Sequence, residues 1–414
     1  MAKTEFKKTK FACYASYFTM SSVFCVPPML FVTFRESYGI SYTLLGTLVL
    51  INFFTQLSVD LIFTFFSRYF SIPKTVRTMP LLTALGLVLY AVIPQVFPQF
   101  AYGGLVIGTV LFSVSAGLSE VLLSPIIAAI PSDNPKRDMS FLHSLYAFGV
   151  FSMVTISTLF LKVFGRENWM YLIIFLAMLP LIPAVLFATS KFPDISDSTP
   201  ETSVAKTGKR SLGLALCLGC IFFGSCAENV MSNWISSYME KALQIDKAIG
   251  DIFGVAMFAI LLGLMRIWYA RFGKNIIRVL LFGMVGASAC YLTIALSNNP
   301  FIGFISCAVT GLFTAMLWPG TLIMMEENIP GAGVTAFALM AAGGDLGASV
   351  APQLLGLTAD SIATAPLAET LGSSLGISAE QVGLKAGMLV CAIFPIMGII
   401  TVLLAAGHFK KSKR

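Results

Sequence analysis

Twelve long apolar stretches decide what this chain can become, because a helix needs roughly 20 such residues to cross the hydrocarbon of a bilayer. They lie near 11–34, 43–66, 78–98, 101–130, 140–163, 168–190, 211–238, 248–270, 277–297, 300–325, 333–360 and 386–407. With 57% hydrophobic and 11% charged residues the chain falls outside the range of soluble domains, so the stretches are read as membrane helices. The first follows a basic flank, as a secretory leader would, but it is long and no small-x-small cleavage site closes it. Between the sixth and seventh stretches, residues 191–210 (KFPDISDSTPETSVAKTGKR) are polar and too poor in apolar side chains to build a core. They are read as a linker joining a six-helix unit, 1–190, to a second, 211–414.

The net charge of +7 would suit a nucleic-acid partner were it gathered on one surface. It is instead distributed as topology demands. Positive loops stay in the cytoplasm, and an inside N-terminus puts 20 of the 27 Lys and Arg residues on that side. Six fall outside (Arg35, Lys162, Arg166, Lys241, Lys247 and Lys385), and Arg266 lies within a span. The expectation is a multi-pass protein of the cell membrane with both termini cytoplasmic, surrounded by lipid, monomeric and binding no nucleic acid. Its eight cysteines sit in or beside apolar stretches and form no disulfide framework. Cys217 and Cys220 make a CxxC inside a hydrophobic helix, read as two small packing residues rather than a metal or redox pair.

A repeat is visible without gaps. Gly311, Leu312, Pro319 and Gly343 each follow Gly117, Leu118, Pro125 and Gly149 by 194 positions. The copies differ in chemistry: Thr314 stands where the first has Glu120, and Phe337 where it has His143.

Twelve spans in two duplicated sets of six, joined by a polar linker, resemble the major facilitator superfamily. The resemblance implies an all-α membrane protein of two pseudo-symmetric six-helix bundles, with a substrate cavity lined by helices 1, 4, 7 and 10. It also implies that helices 3, 6, 9 and 12 face lipid. Consistently, Asp60, Glu120, His143, Glu228, Arg266 and Asp345 fall on helices 2, 4, 5, 7, 8 and 11. The superfamily's loop signature is only partly kept. RIWYARFGK has Ala270 where an Asp is expected, and FFSRYFSIPK has Ser67.

Ser113, Gly117, Glu120 and Ser124 are spaced four, three and four apart and share one face of helix 4. Glu120 is either a proton-coupling carboxyl or a hydrogen-bond partner between helices, and the coupling role is favoured because intramembrane acids are costly to keep. Helix 7 offers Glu228, a second coupling candidate, with Asn229, Asn233, Trp234 and Tyr238. Amides beside aromatic rings suit a polyhydroxylated ligand, and they equally suit a polar seam with an aromatic belt. Tyr17, Ser113, Ser124 and Trp318 complete the expected substrate contacts. On helix 2, Asn52, Gln56 and Asp60 form a stripe expected to face the other bundle, with Asp60 at a gate. Arg266 and Asp345 carry opposite charges that either pair or part, and His143 is read as a cap or relay.

Within the superfamily the chain is most similar to the fucose:proton symporter group, through Glu120 with Leu142-His143, Glu228 with Trp234 and Tyr238, Gly263 with Arg266, and GGDLGASVAPQLLGLTAD. That group is expected to carry an acid on helix 1, whereas Tyr14, Tyr17 and Ser21 stand there, so Glu120 and Glu228 would have to serve. The functional expectation is alternating-access symport of a small polar solute, a sugar or related compound, with H+ as coupling ion and no metal or cofactor. Proton-driven efflux of amphipathic compounds and a non-transporting sensor are the alternatives. An enzyme is not expected: there is no GxSxG elbow, no His-rich cluster, and Gly208-Lys209 lacks the upstream glycine of a phosphate loop.

Overall fold

The computed structural model describes residues 5–66, 69–133, 135–193, 208–329 and 334–412. Among these there is no strand, and twelve long helices, several of them broken, make up most of the described chain. They are α1 (Lys7–Met29, continued by Phe31–Tyr38), α2 (Tyr42–Phe66), α3 (Ile72–Val96), α4 (Ala101–Ala129), α5 (Pro135–Phe164) and α6 (Trp169–Met178 and Leu181–Ala188). There follow α7 (Gly208–Lys241), α8 (Lys247–Ile249, a π-helical turn Gly250–Val255, then Ala256–Phe272), α9 (Ile276–Leu296) and α10 (Pro300–Thr314 and Leu317–Asn328). The last two are α11 (Val334–Ala363) and α12 (Ala379–Cys391 and Ile393–Ser412), with a short helix Pro366–Leu375 between them. Among the described residues nine helices are long and apolar enough to span a membrane by themselves, and ten if bent α1 is one span. α11 carries Asp345, Gln353 and Asp360.

The chain folds as two compact units. One comprises residues 1–40 and 51–198, the other 41–50 and 199–414. The polar segment read as a linker falls largely on 194–207, outside the described residues, as do Ser67 and Arg68 of the first loop signature.

In the first unit α1 bends by 48° after Pro27 and Pro28. Neither proline has an N–H, so the carbonyls four residues earlier lose their donors and the helix cannot run straight. The bent piece closes at Gly39, whose φ of 65° is left-handed and whose N–H returns 3.0 Å to the Arg35 carbonyl. Arg77 on α3 finishes the far end of α6, donating to the Phe187 and Ser190 carbonyls at 3.2 Å each. In the second unit three buried aromatics bind the helices through their polar tips: Trp234 Nε1 to the Pro352 carbonyl (3.0 Å), Tyr238 Oη to Ile294 (2.8 Å) and Tyr291 Oη to Ala227 (2.7 Å).

The 194-residue repeat has a packing cause. A Cβ on Gly117 would lie 3.2 Å from Gln56 Cα of α2, and one on Gly311 would lie 2.2 Å from the Phe258 carbonyl oxygen of α8. Each glycine thus admits the second helix of its own unit against the fourth. Gly311→Val should therefore force α8 and α10 apart and cost about 1–3 kcal/mol, read as a lowered unfolding temperature in detergent. Gly263→Ala, where a Cβ meets nothing within 4 Å, is the control expected to leave that temperature unchanged.

The second unit also contains the start of α2. The Thr43 N–H donates to Asp360 Oδ2 at 2.6 Å, Tyr42 Oη to Glu380 Oε1 at 2.9 Å, and Thr47 Oγ1 to Gln353 Oε1 at 3.2 Å. A carboxylate on the unsatisfied N–H groups of a helix start suits both their hydrogen bonding and the helix dipole.

Candidate functional site

In the first unit the α4 stripe divides. Ser113 is fully buried and donates to Asn52 Oδ1 at 2.6 Å, and Gln56 Nε2 donates to the same oxygen at 2.9 Å. Asn52 and Gln56 therefore turn inward to α4, and the stripe expected to face the other bundle is a seam inside this one. Ser113 is committed to that seam. Beyond the α2 crossing the stripe reopens: Glu120 is accessible while closely surrounded by protein, and Ser124 is half-buried. Tyr17 of α1 is buried within electrostatic reach of Glu120. Asp60 is half-buried on α2. His143 lies on α5, with its side chain outside the described residues.

The second unit's site is built by a proline. An α-helical carbonyl accepts from the N–H four residues on, and for Ala315 that residue is Pro319, which has none. α10 breaks there, between Thr314 and Leu317. Arg266 of α8 supplies the missing donor, its Nε lying 2.9 Å from the Ala315 oxygen. With Nε fixed, the planar guanidinium aims Nη2 at Glu228 Oε1 of α7, 3.4 Å away. Arg266 thus pairs with Glu228 and not with Asp345, which is buried on α11. Glu228 Oε2 is buried and has no hydrogen-bond partner.

Beside Glu228, Asn229 and Ser232 are half-buried, while Asn233 is nearly covered. The Asn229 amide donates to the Ser225 carbonyl at 3.1 Å, and that of Asn233 to the Asn229 carbonyl at 2.9 Å. Trp234 and Tyr238 are fully buried, which corrects the expectation that they share an open face with these amides. The reason is rotational: Asn229 and Trp234 are five residues apart, and five residues carry about 140° around a helix. The aromatic ring left half-open is Trp318, which lies over α11 where a Cβ on Gly344 would come within 2.3 Å of it.

A third group of polar residues was missed from sequence. Lys247, read as an outer-loop charge, is buried, and its Nζ lies 2.9 Å from Ser236 Oγ, 3.3 Å from Asp251 Oδ2 and 3.7 Å from Glu240 Oε2. Ser236 in turn donates to Asp251 Oδ1. The i,i+4 spacing of Lys247 and Asp251 was the available signal. Lys385, also read as an outer charge, is buried within the start of α12 and donates to the Ser297 carbonyl and to Asn298 Oδ1.

An apolar groove of about 610 Å³ runs along α8, α9 and α10, lined by Leu264, Trp268, Phe282 and Leu312 among others. It contains neither Glu228 nor Trp318, and its lining is apolar apart from Arg278.

The family model described as Major Facilitator Superfamily matches residues 11–352. The chain belongs to that superfamily. This major facilitator protein has no significant match among curated proteins. Its fold is similar to that of solved superfamily structures at low identity. One is a bacterial homolog of the human lysosomal transporter Spinster, inward-facing and occupied, at TM-score 0.74, 13% identity and 97% coverage of both chains. A D-xylose-proton symporter aligns at TM-score 0.74 and 15% identity, covering 96% of each chain. The E. coli fucose:proton symporter aligns at 0.59 and 11%, covering 97% of this chain and 99% of its own. The major facilitator protein described here is accordingly a twelve-helix membrane transporter and not an enzyme.

Proposed function

We propose that the protein is a proton-coupled symporter of a small polar solute, a sugar or related compound, working as a monomer in the cell membrane with both termini in the cytoplasm. The observation that carries this reading is Glu228: one carboxylate oxygen is held by Arg266 at 3.4 Å, and the other is buried without a partner. A buried carboxylate that lacks one hydrogen bond gains by binding a proton or a donor group of a ligand. Glu120, accessible in the other unit, is the second candidate carrier. Asn229 and Ser232 offer amide and hydroxyl groups, and Trp318 offers a ring for stacking against C–H faces. That two proton-linked sugar symporters share the fold is in keeping with this, as is the distribution of Lys and Arg with the assigned orientation.

In proteoliposomes with an imposed pH gradient, the wild-type protein should accumulate one member of a panel of pentoses, hexoses and deoxyhexoses. Glu228→Gln should lower accumulation at least tenfold while sparing solute exchange without a gradient, because a neutral amide holds the same space but carries no proton. Glu120→Gln is the parallel test. Retention of gradient-driven accumulation by both variants would end the coupling assignment, and uptake or efflux only of lipophilic cations would end the sugar assignment.

A further inference from the structure

The break in α10 places an uncommitted main-chain oxygen opposite Arg266, and the consequence extends beyond local packing. Arg266 makes two contacts of different character. The bond from Nε to the Ala315 carbonyl is short, at 2.9 Å, and its acceptor cannot change charge. The contact of Nη2 with Glu228 is long, at 3.4 Å, and its acceptor titrates. Since the guanidinium is rigid and planar, the first contact sets the geometry of the second.

We propose that Pro319 is a positioning residue for proton coupling: by denying the Ala315 carbonyl its helical donor, it seats Arg266 on α10 and ties the attitude of that helix to the charge on Glu228. The inference rests on the reading of Glu228 as a proton carrier and adds to it the part that makes proton binding answer to the solute. Trp318 stands between Ala315 and Pro319 in the same turn and is the half-open ring of the site. A solute stacked on Trp318 acts on the hinge that carries the Ala315 oxygen. A shift of that oxygen turns the guanidinium and lengthens or closes its reach to Glu228. Proline alone does not produce the hinge, for α4 runs unbroken through Pro125, the equivalent residue of the first unit.

The test is the pH profile of solute uptake in proteoliposomes. Pro319→Ala returns an N–H to the Ala315 carbonyl, so Arg266 loses its seat. The alkaline limb of the profile should move by about one unit toward alkaline pH, a tenfold change in proton concentration, because the cation no longer holds Glu228 charged. Arg266→Lys keeps a positive charge but cannot bridge both acceptors with one planar group, and it should move the profile in the same direction. In a Glu228→Gln background Pro319→Ala should have no effect on the profile. A folded Pro319→Ala protein with the wild-type profile overturns the proposal, provided Glu228→Gln abolishes the pH dependence. Should Pro319→Ala fail to fold, an unchanged profile in Arg266→Lys overturns it. If Glu228→Gln itself keeps the wild-type profile, the coupling reading fails first, a result distinct from the other two.

Discussion

Lys247→Met should be strongly destabilising while leaving the two coupling candidates untouched. Lys247 is 8% exposed and Asp251 1% exposed, and its ammonium group faces Ser236, Asp251 and Glu240. Removing the cation leaves Asp251 charged inside the protein, and breaking a buried pair from one side costs about 3–5 kcal/mol. The unfolding temperature in detergent should fall by many degrees. The double variant Lys247→Met/Asp251→Asn removes the closer pair and should recover part of the loss, since an absent ion pair is far cheaper than half of one, while Glu240 still lacks the cation. Equal destabilisation of the single and double variants would show that the two groups do not act as a pair. The setting gives the pair a structural purpose: it joins the end of α7 to the π-helical turn Gly250–Val255, where the regular ladder is already disturbed.

Arg266→Ala should have the largest effect on transport. The guanidinium is 43% exposed on its side chain, so the cost to folding is smaller, on the order of 1 kcal/mol once solvent screening is allowed for. The functional cost is different in kind. Without a counter-charge, the Glu228 carboxylate is relieved by taking a proton, and a carrier that never releases its proton cannot couple. Gradient-driven accumulation should therefore disappear while exchange persists, the phenotype expected of Glu228→Gln. The double variant should be no worse than either single, because residues acting through one interaction are not additive. Additive losses in the double variant would show that Arg266 and Glu228 contribute separately.

Much of the architecture was legible because lipid imposes a length on every helix and penalises charge inside it. Twelve stretches gave twelve helices, and the 194-residue frame marked the glycines that admit α2 and α8. The identities of Glu228 and Arg266 as intramembrane charges were also legible; their pairing was not, since Asp345 offered Arg266 an equally good partner on paper. The pairing became fixed only through the Ala315 carbonyl, four residues before Pro319; that proline was visible as a hinge or kink in the sequence, but not which donor would serve the carbonyl it leaves free. Trp234 was misplaced for a different reason. On a helix apolar nearly all round, periodicity tells which residues share a face but not which face is covered by neighbours. The burial of Lys247 was not foreseen because a cation at the edge of an apolar stretch is ordinarily a topological marker, and burial at a helix end leaves no mark on composition.

The second helix has a mechanical meaning. α2 is unbroken from Tyr42 to Phe66, yet Ser41–Leu50 belongs to one compact unit and the rest of the helix to the other. One helix thus contributes to the packing of both units. Its start makes hydrogen bonds to Asp360, Glu380 and Gln353, and its continuation lies in the Asn52, Gln56 and Ser113 seam with the close packing at Gly117. Both stretches of the helix are held by side-chain hydrogen bonds together with a glycine at close approach, Gly356 to Tyr42 at the start and Gly117 to Gln56 further on.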